Sequence, residues 1–299
     1  MHNKCRLVIT NELVRLIKRL AEAYSAATGA DPAEYYERYY LDIAPHADVI
    51  YSVGEGLGIT STDRVLEVGS GLGTRCLLGN AIFGAEFVGL EPCANTYSNL
   101  KDAIIVLKEA NKHLIYESKY STGENTGLDD ESFDHVVSFE VLEHVQSPID
   151  VIAEMFRVLK PSGKIFISSC NYDSFYEGHF RSLLIPVANK RFQKAYFKLL
   201  NRNSDFVEEI NFITKKQIYA YLQSSGFEKI KFYDKYAISH FDMLSVECPD
   251  EIYAKSGKNS VKFIQKVVQS EPINNILSIF NREYKIYVTA EKPLHCVTS

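Results

Sequence analysis

The chain has no Cys-x-x-Cys pair, and its six cysteines (Cys5, Cys76, Cys93, Cys170, Cys248, Cys296) are scattered, with no histidines nearby at metal-site spacing. This usage predicts reduced, intracellular thiols. There is no apolar run of 18 residues, and near the N-terminus Glu12, Arg15, Lys18 and Arg19 interrupt residues 13–20. The expectation is a soluble, cytoplasmic protein that is neither secreted nor membrane-spanning. Neither sign of charge dominates: 33 basic against 38 acidic residues give a net charge of -5, which argues against a chain built mainly to hold nucleic acid. Internal repeats and low-complexity segments are also missing. What remains is a 299-residue chain, 46% hydrophobic, with enough apolar side chains for a sizeable core.

The most informative stretch is residues 64–74, read RVLEVGSGLGT. Its start, residues 65–68, predicts a buried strand, and Gly69, Gly71 and Gly73 follow at alternate positions. Glycines serve such a turn because the backbone must bend sharply and approach a ligand that any Cβ would obstruct. A dinucleotide fingerprint would want a glycine or alanine where Thr74 stands, so the nicotinamide reading is weakened. Downstream, strand and helix patterns alternate: a helix over 74–83, a strand over 86–91 ending in Glu91, a helix over 94–111, a strand over 113–118, and strands over 133–138 and 164–169. This order predicts a mostly parallel α/β sheet with helices on both faces.

Several segments in this order are specific. Glu67 stands two residues before Gly69, and Glu91 ends the second strand. Phe133-Asp134 opens an apolar strand, Glu140-Val141-Leu142-Glu143-His144-Val145 follows it, and a Val-Leu-Lys-Pro-Ser-Gly turn spans residues 158–163. Together they resemble the class I S-adenosylmethionine (SAM) methyltransferases that act on small molecules, nearest to the branch that includes the ubiquinone-pathway O-methyltransferases. The resemblance covers residues 64–171 well. It implies a Rossmann-like, doubly wound, mostly parallel seven-stranded sheet, SAM as cofactor, and a small-molecule acceptor methylated at a hydroxyl oxygen. It also implies that Glu67, Gly69, Ser70, Gly71, Gly73, Glu91, Pro92 and Glu140 line the cofactor site, with Glu91 facing both ribose hydroxyls. Glu124, beside Asn125 in the loop after the third strand, is the candidate for the adenine amino group. The rival readings are a glycan or nucleotide-sugar methyltransferase, an N-methyltransferase, and a SAM-binding, non-catalytic partner subunit. Nucleic-acid amino methylation is disfavoured, because residues 139–142 read Phe-Glu-Val-Leu in place of an Asn/Asp-Pro-Pro-aromatic motif.

A hydroxyl acceptor must lose its proton to a base or to a cation that acidifies it. Glu140 and His144 are the candidate catalytic groups, with His179 a further candidate general base. Glu140, Glu143 and His144 fall at i, i+3 and i+4, a spacing that puts two carboxylates and an imidazole on one side of a helix. In the ubiquinone-type branch such a segment is associated with metal, so a divalent ion such as magnesium is an expectation here.

Four divisions are expected: an N-terminal helical segment over 1–62, a SAM-binding core over 63–170, a helical lid over 171–213, and the rest of the sheet over 214–299. Residues 11–28 predict an amphipathic helix with Asn11 as N-cap and Gly29 as stop. Asp31, Pro32 and Glu34 open a second helix carrying Tyr35, Tyr36, Tyr39 and Tyr40, for which packing is the favoured role over contact with the cofactor. The lid opens on Tyr172, Phe175, Tyr176, His179 and Phe180. From Arg181 to Arg202 it carries six cations and no acid, a solvated face by default, or one for an anionic substrate or peripheral membrane contact. Segments 261–268 and 273–280 look helical and have no functional account.

Overall fold

The computed structural model describes residues 7–28, 33–93, 98–177, 182–184, 189–200, 204–233 and 284–294. Three helices come first: α1 (Asn11–Thr28), α2 (Ala33–Leu41) and α3 (Ile43–Leu57). The alternating core follows as β1 (Arg64–Val68), α4 (Thr74–Phe83), β2 (Glu86–Leu90), α5 (Ser98–Ala110), β3 (Tyr116–Lys119), β4 (Phe133–Phe139), α6 (Pro148–Val158) and β5 (Leu159–Cys170). Residues 171–213 hold β6 (Tyr176–Glu177), β7 (Ser182–Leu183), α7 (Lys190–Leu199) and α8 (Phe206–Glu209), and α9 (Lys215–Ser224), β8 (Glu228–Tyr233) and β9 (Lys285–Glu291) complete the described chain.

Seven strands form one sheet in the order β3-β2-β1-β4-β5-β9-β8. The pairs from β3 to β5 are parallel, and β9 runs antiparallel to both β5 and β8. Because side chains alternate across a strand, each central strand feeds two cores. Val65, Phe87, Val137 and Phe166 face α1, α3, α4 and α5 in one cluster with Leu13, Ile17, Ile50, Leu57 and Leu77. Leu66, Val88, Val136 and Ile165 pack on the other face with Val151, Ile152 and Met155 of α6 and Ile218 and Leu222 of α9. The chain runs outward from β1 to β2 on one side and to β4 on the other. This is a switch point, and open α/β sheets bind ligands beyond the carboxyl ends of the strands at such a point, here β1 and β4.

The strand-helix order and the closing antiparallel pair are as expected, with local departures. Thr10, not Asn11, caps α1, its hydroxyl accepting from the Leu13 N–H at 3.1 Å. The Pro-Ser-Gly turn lies inside a longer fifth strand. Leu159 already pairs with Phe133, the register then shifts, and Ser162 sits in the left-handed region at φ 64, so the turn is a bulge rather than a strand boundary. The third strand starts at Tyr116 instead of residue 113, after turns that the Asn80 side chain ties by accepting the Ile115 N–H at 2.9 Å. Helix α3 is missing from the sequence reading, although Ile43, Ala47, Ile50, Val53 and Leu57 share one buried face. Gly29, Asp31, Pro32, Ala94 and segments 261–268 and 273–280 lie outside the described residues. Among the described residues no helix is long and apolar enough to cross a membrane.

Candidate functional site

Beyond β1 the chain folds into a tight loop whose three glycines answer different constraints. Gly69 and Ser70 both donate their N–H to the Leu90 carbonyl, at 2.8 and 3.0 Å, fixing the loop to the end of β2. A Cβ on Gly69 would lie 2.2 Å from Val141, and one on Gly73 (φ +80) 2.2 Å from the Tyr116 hydroxyl, which itself donates to the Leu72 carbonyl. Both positions are closed by protein. Gly71 (φ +54) differs, since a Cβ there would meet nothing within 4 Å. Its N–H instead donates to Glu91 Oε2 at 2.9 Å. The loop thus presents an uncovered backbone stretch beside a carboxylate at the strand end, which is the shape a ligand needs for close approach. Burial pushes the Glu91 carboxyl above its ordinary range, and the Gly71 N–H opposes that shift. Pro92 is exposed next to it, and Ser70 is buried under the loop.

Glu67 lies beneath this loop, fully buried. Its carboxylate accepts from the Arg75 guanidinium at 3.4 Å and from the Cys76 thiol at 3.1 Å. Burial raises the Glu67 carboxyl, with Arg75 and Cys76 opposing. Arg75 stacks over the Phe139 ring at 4.5 Å and donates to the Tyr39 hydroxyl at 3.2 Å, while its Nε is buried without a partner. Through this guanidinium α4, β1, the end of β4 and α2 meet at one point. Burial, then Tyr24, then Tyr39 and Glu91, raise the Tyr40 phenol. The α2 tyrosines therefore do two jobs: Tyr36 and Tyr40 pack on Tyr24, with ring centroids 5.5 and 6.2 Å away, and Tyr39 and Tyr40 overhang the loop.

Beyond β4 the backbone at Glu140 takes a left-handed conformation, φ 57, uncommon for a residue with a side chain. Its carboxylate accepts from the Ser168 hydroxyl at 2.9 Å and the Cys170 thiol at 3.5 Å, and the Lys285 ammonium lies 3.1 Å from Oε2. Burial pushes the Glu140 carboxyl up, but Lys285 and Ser168 together outweigh it and hold it below its ordinary range. Burial likewise disfavours the Lys285 charge, and Glu140 overrides it, so the lysine stays an ammonium.

Glu143 turns the other way. It is fully buried, accepts from the Ser169 hydroxyl at 3.0 Å and the Cys170 N–H at 3.5 Å, and its carbonyl takes the Asn211 N–H at 2.7 Å, which ties the segment before α9 to the loop. His144 is exposed, its ring 6.5 Å from Phe206. The expected Glu140, Glu143 and His144 set is thus not brought together. Among the described residues the group that converges is Glu140, Glu143 and Cys170, with one ligand atom from each within 4.8 Å of the others. A divalent ion such as magnesium is not supported: the helix that would have aligned the three begins only at Pro148, and the Lys285 ammonium already supplies a positive charge at Glu140.

In the loop after β3, Glu124 Oε1 accepts from the Gln146 and Ser147 N–H groups at 2.8 and 3.3 Å, just before α6. These bonds hold Glu124 against the start of α6, and Asn125 beside it is exposed. His179 lies outside the described residues. Sequence reasoning missed Arg75, Cys170 and Lys285. A cation two residues past the last glycine was a visible signal for Arg75, whereas Lys285 reaches Glu140 only through the pairing of β9 with β5, where Cys170 and Lys285 stand opposite each other.

The cations of α7 are less free than their run implies. Lys194 lies 3.0 Å from Asp205 and 3.5 Å from Glu208, and Lys190 donates to the Glu208 carbonyl, because α8 folds its acids back onto α7.

A family model described as a methyltransferase domain matches residues 10–231. An uncharacterised methyltransferase of Schizosaccharomyces pombe is 30% identical over 128 residues, 40% of this chain and 46% of that protein. A ubiquinone biosynthesis O-methyltransferase of Roseobacter denitrificans is 27% identical over 169 residues, 56% of this chain and 60% of that protein. The chain spans about half the length of the curated relatives it matches. Among solved structures, phosphoethanolamine N-methyltransferase 2 of Haemonchus contortus, in complex with S-adenosylhomocysteine, shares the fold at a TM-score of 0.52 and 16% identity, covering 82% of this chain and 52% of that one.

Proposed function

The chain belongs to the class I SAM-dependent methyltransferases, and from that membership we propose that it transfers a methyl group from SAM to an oxygen of a small-molecule acceptor. The observation that carries the cofactor assignment is Gly71, an uncovered left-handed backbone position whose N–H is held by Glu91 at the switch point of the sheet. The residues fit the cofactor. SAM carries no phosphate, and the site offers carboxylates and backbone groups in place of a phosphate-binding set.

Glu91 takes the ribose hydroxyls, Gly71 gives the open backbone position in a loop that Gly69, Ser70 and Gly73 shape, Pro92 borders it, and Glu124 with Asn125 lies toward the adenine. Glu67 acts through Arg75, which it holds between the loop and α2. When bound, SAM supplies a sulfonium methyl whose bond to sulfur breaks, the electron pair staying on sulfur, as a lone pair of the acceptor oxygen forms the new bond. Positioning is the larger share of such catalysis, and the chain provides it by closing α2 over one side of the crevice and the lid over the other. Glu140, at the end of β4, faces the acceptor side. His144, on the lid side of the same loop, stands further out.

Oxygen as the acceptor atom is supported by the likeness to ubiquinone biosynthesis O-methyltransferases, one of them 27% identical over 169 residues. The acids that α8 places on Lys194 weaken the anionic-sugar alternative. The test is transfer of isotope-labelled methyl from SAM to panels of phenols, amines and sugar hydroxyls. Label recovered in ethers of the phenol panel is the expected result; label only in amines or sugars would replace the oxygen assignment, and no transfer alongside tight S-adenosylhomocysteine binding would favour the partner-subunit reading.

A further inference from the structure

At the carboxyl edge of the sheet, on the acceptor side of the proposed cofactor crevice, three neighbouring strands bring one cluster together: Glu140 at the end of β4, Cys170 at the end of β5 and Lys285 at the start of β9. We propose that the Lys285 ammonium is the group that binds the acceptor oxygen and holds it as an oxyanion, and that the acceptor is accordingly a phenol or a comparably acidic hydroxyl. This deepens the O-methyltransferase reading and rests on it.

Three observations carry it. Lys285 is only about a quarter exposed, and Glu140 about as much, so the ion pair is set into the edge of the site rather than waving in solvent. An ammonium has three N–H donors, and among the described residues Glu140 is the partner it faces, leaving donors for an incoming oxygen. The surroundings are aromatic: Tyr284 and Tyr287 flank Lys285 on its own strand, the Tyr284 ring centroid lies 5.6 Å from the ammonium, and Tyr172 stacks on Phe212 where the lid leaves the sheet. The titratable and charged groups facing Lys285 are Glu140 from β4, Cys170 from β5, and Tyr284 and Tyr287 from β9 and its approach.

The acceptor class follows from magnitudes. An opposite charge within about 4–6 Å lowers the pKa of an acid by roughly 1–3 units. A phenol, with a pKa of about 10, comes within reach of neutral pH by such a shift; an aliphatic hydroxyl, nearly as weak an acid as water, does not. Ionisation breaks the acceptor O–H bond, leaves the pair on oxygen beside Lys285, and passes the proton to water past Glu140. Methyl transfer then yields an aryl methyl ether and S-adenosylhomocysteine with charge conserved, and no metal ion is needed.

The test uses 4-nitrophenol, whose phenolate absorbs in the visible, bound to the full chain with S-adenosylhomocysteine present and with EDTA added. The expected result is that the bound probe ionises about one pH unit below the free probe, that Lys285→Gln abolishes this shift, and that Lys285→Arg keeps it. Lys285→Gln retains a donor for Glu140, and unchanged S-adenosylhomocysteine affinity in that variant certifies that the fold is intact. An unshifted bound probe, a shift that survives in Lys285→Gln or appears only with magnesium, or no binding of the probe would overturn the proposal. Failure of the wild type to bind S-adenosylhomocysteine would instead overturn the methyltransferase reading beneath it.

Discussion

The three loop glycines are alike in sequence and different in cause. Gly73 combines φ +80 with a Tyr116 hydroxyl 2.2 Å from where a Cβ would stand, and Tyr116 belongs to the buried core, so Gly73→Ala is expected to cost about 3 kcal/mol of stability. Gly71→Ala meets only the left-handed backbone cost, about 1 kcal/mol, yet places a methyl group in the space assigned to the cofactor. Thermal melts paired with S-adenosylhomocysteine titrations separate the two: Gly71→Ala should stay folded with at least about tenfold weaker binding, a loss of about 1.4 kcal/mol. Equal affinity in Gly71→Ala would mean that the open space is not the ligand's. At this scale the sequence was legible in where the backbone must turn, at Gly69, Gly71 and Gly73, but not in which of the three stays uncovered. It was not legible where a side chain's partner arrives from a distant strand, since nothing near Glu140 announces Lys285 and nothing near Lys285 announces Glu140.

Helix α1 packs on α2 and α5 and α3 on α4, and their attachment depends on polar contacts as well as on the Leu13, Ile17, Ile50 and Leu57 core. His46 of α3 is buried, its Nε2 3.0 Å from the Tyr39 carbonyl and its ring 5.1 Å from Tyr39, the same residue that receives Arg75. Burial, then the Arg75 charge, lower its pKa to about 4, against the weaker opposing effect of the Tyr39 carbonyl. An unfolded histidine takes up a proton near pH 6.5, whereas the folded one does not until about pH 4, so stability must fall as pH drops through that window and level off below it. The loss attributable to His46 is on the order of 3 kcal/mol, and denaturant melts between pH 7 and 4 should show a slope that His46→Gln flattens. A slope unchanged in His46→Gln would place the pH dependence elsewhere. Helix α3 itself escaped sequence reading because its apolar positions are interrupted by Gly54 and Gly56 and no side chain caps its start. The bulge in β5 escaped because a Pro-Ser-Gly triplet reads as a boundary unless its neighbours' pairing is known.

Across the whole molecule, the strand order places every proposed functional group on one edge of the sheet. The glycine loop and Glu91 stand at the ends of β1 and β2, Glu140 at the end of β4, Cys170 at the end of β5, and Lys285 at the start of the reversed β9. Reversal is what matters for β9, because a parallel strand in that position would put its first residue on the opposite edge. Alternating strand and helix patterns made the parallel half of this sheet readable from residues 64–170. The electrostatics of α7 were not readable, since the acids that meet Lys194 follow the basic run in sequence and return to it only through the fold. The central claim is that a SAM-type ligand lies over Gly71 against Glu91. Calorimetric titration of the full chain with S-adenosylhomocysteine, wild type beside Glu91→Ala, tests it most directly. The account predicts one-to-one binding by the wild type that is lost or weakened by at least about tenfold in a folded Glu91→Ala; no binding by the wild type, or equal binding by the variant, would contradict it.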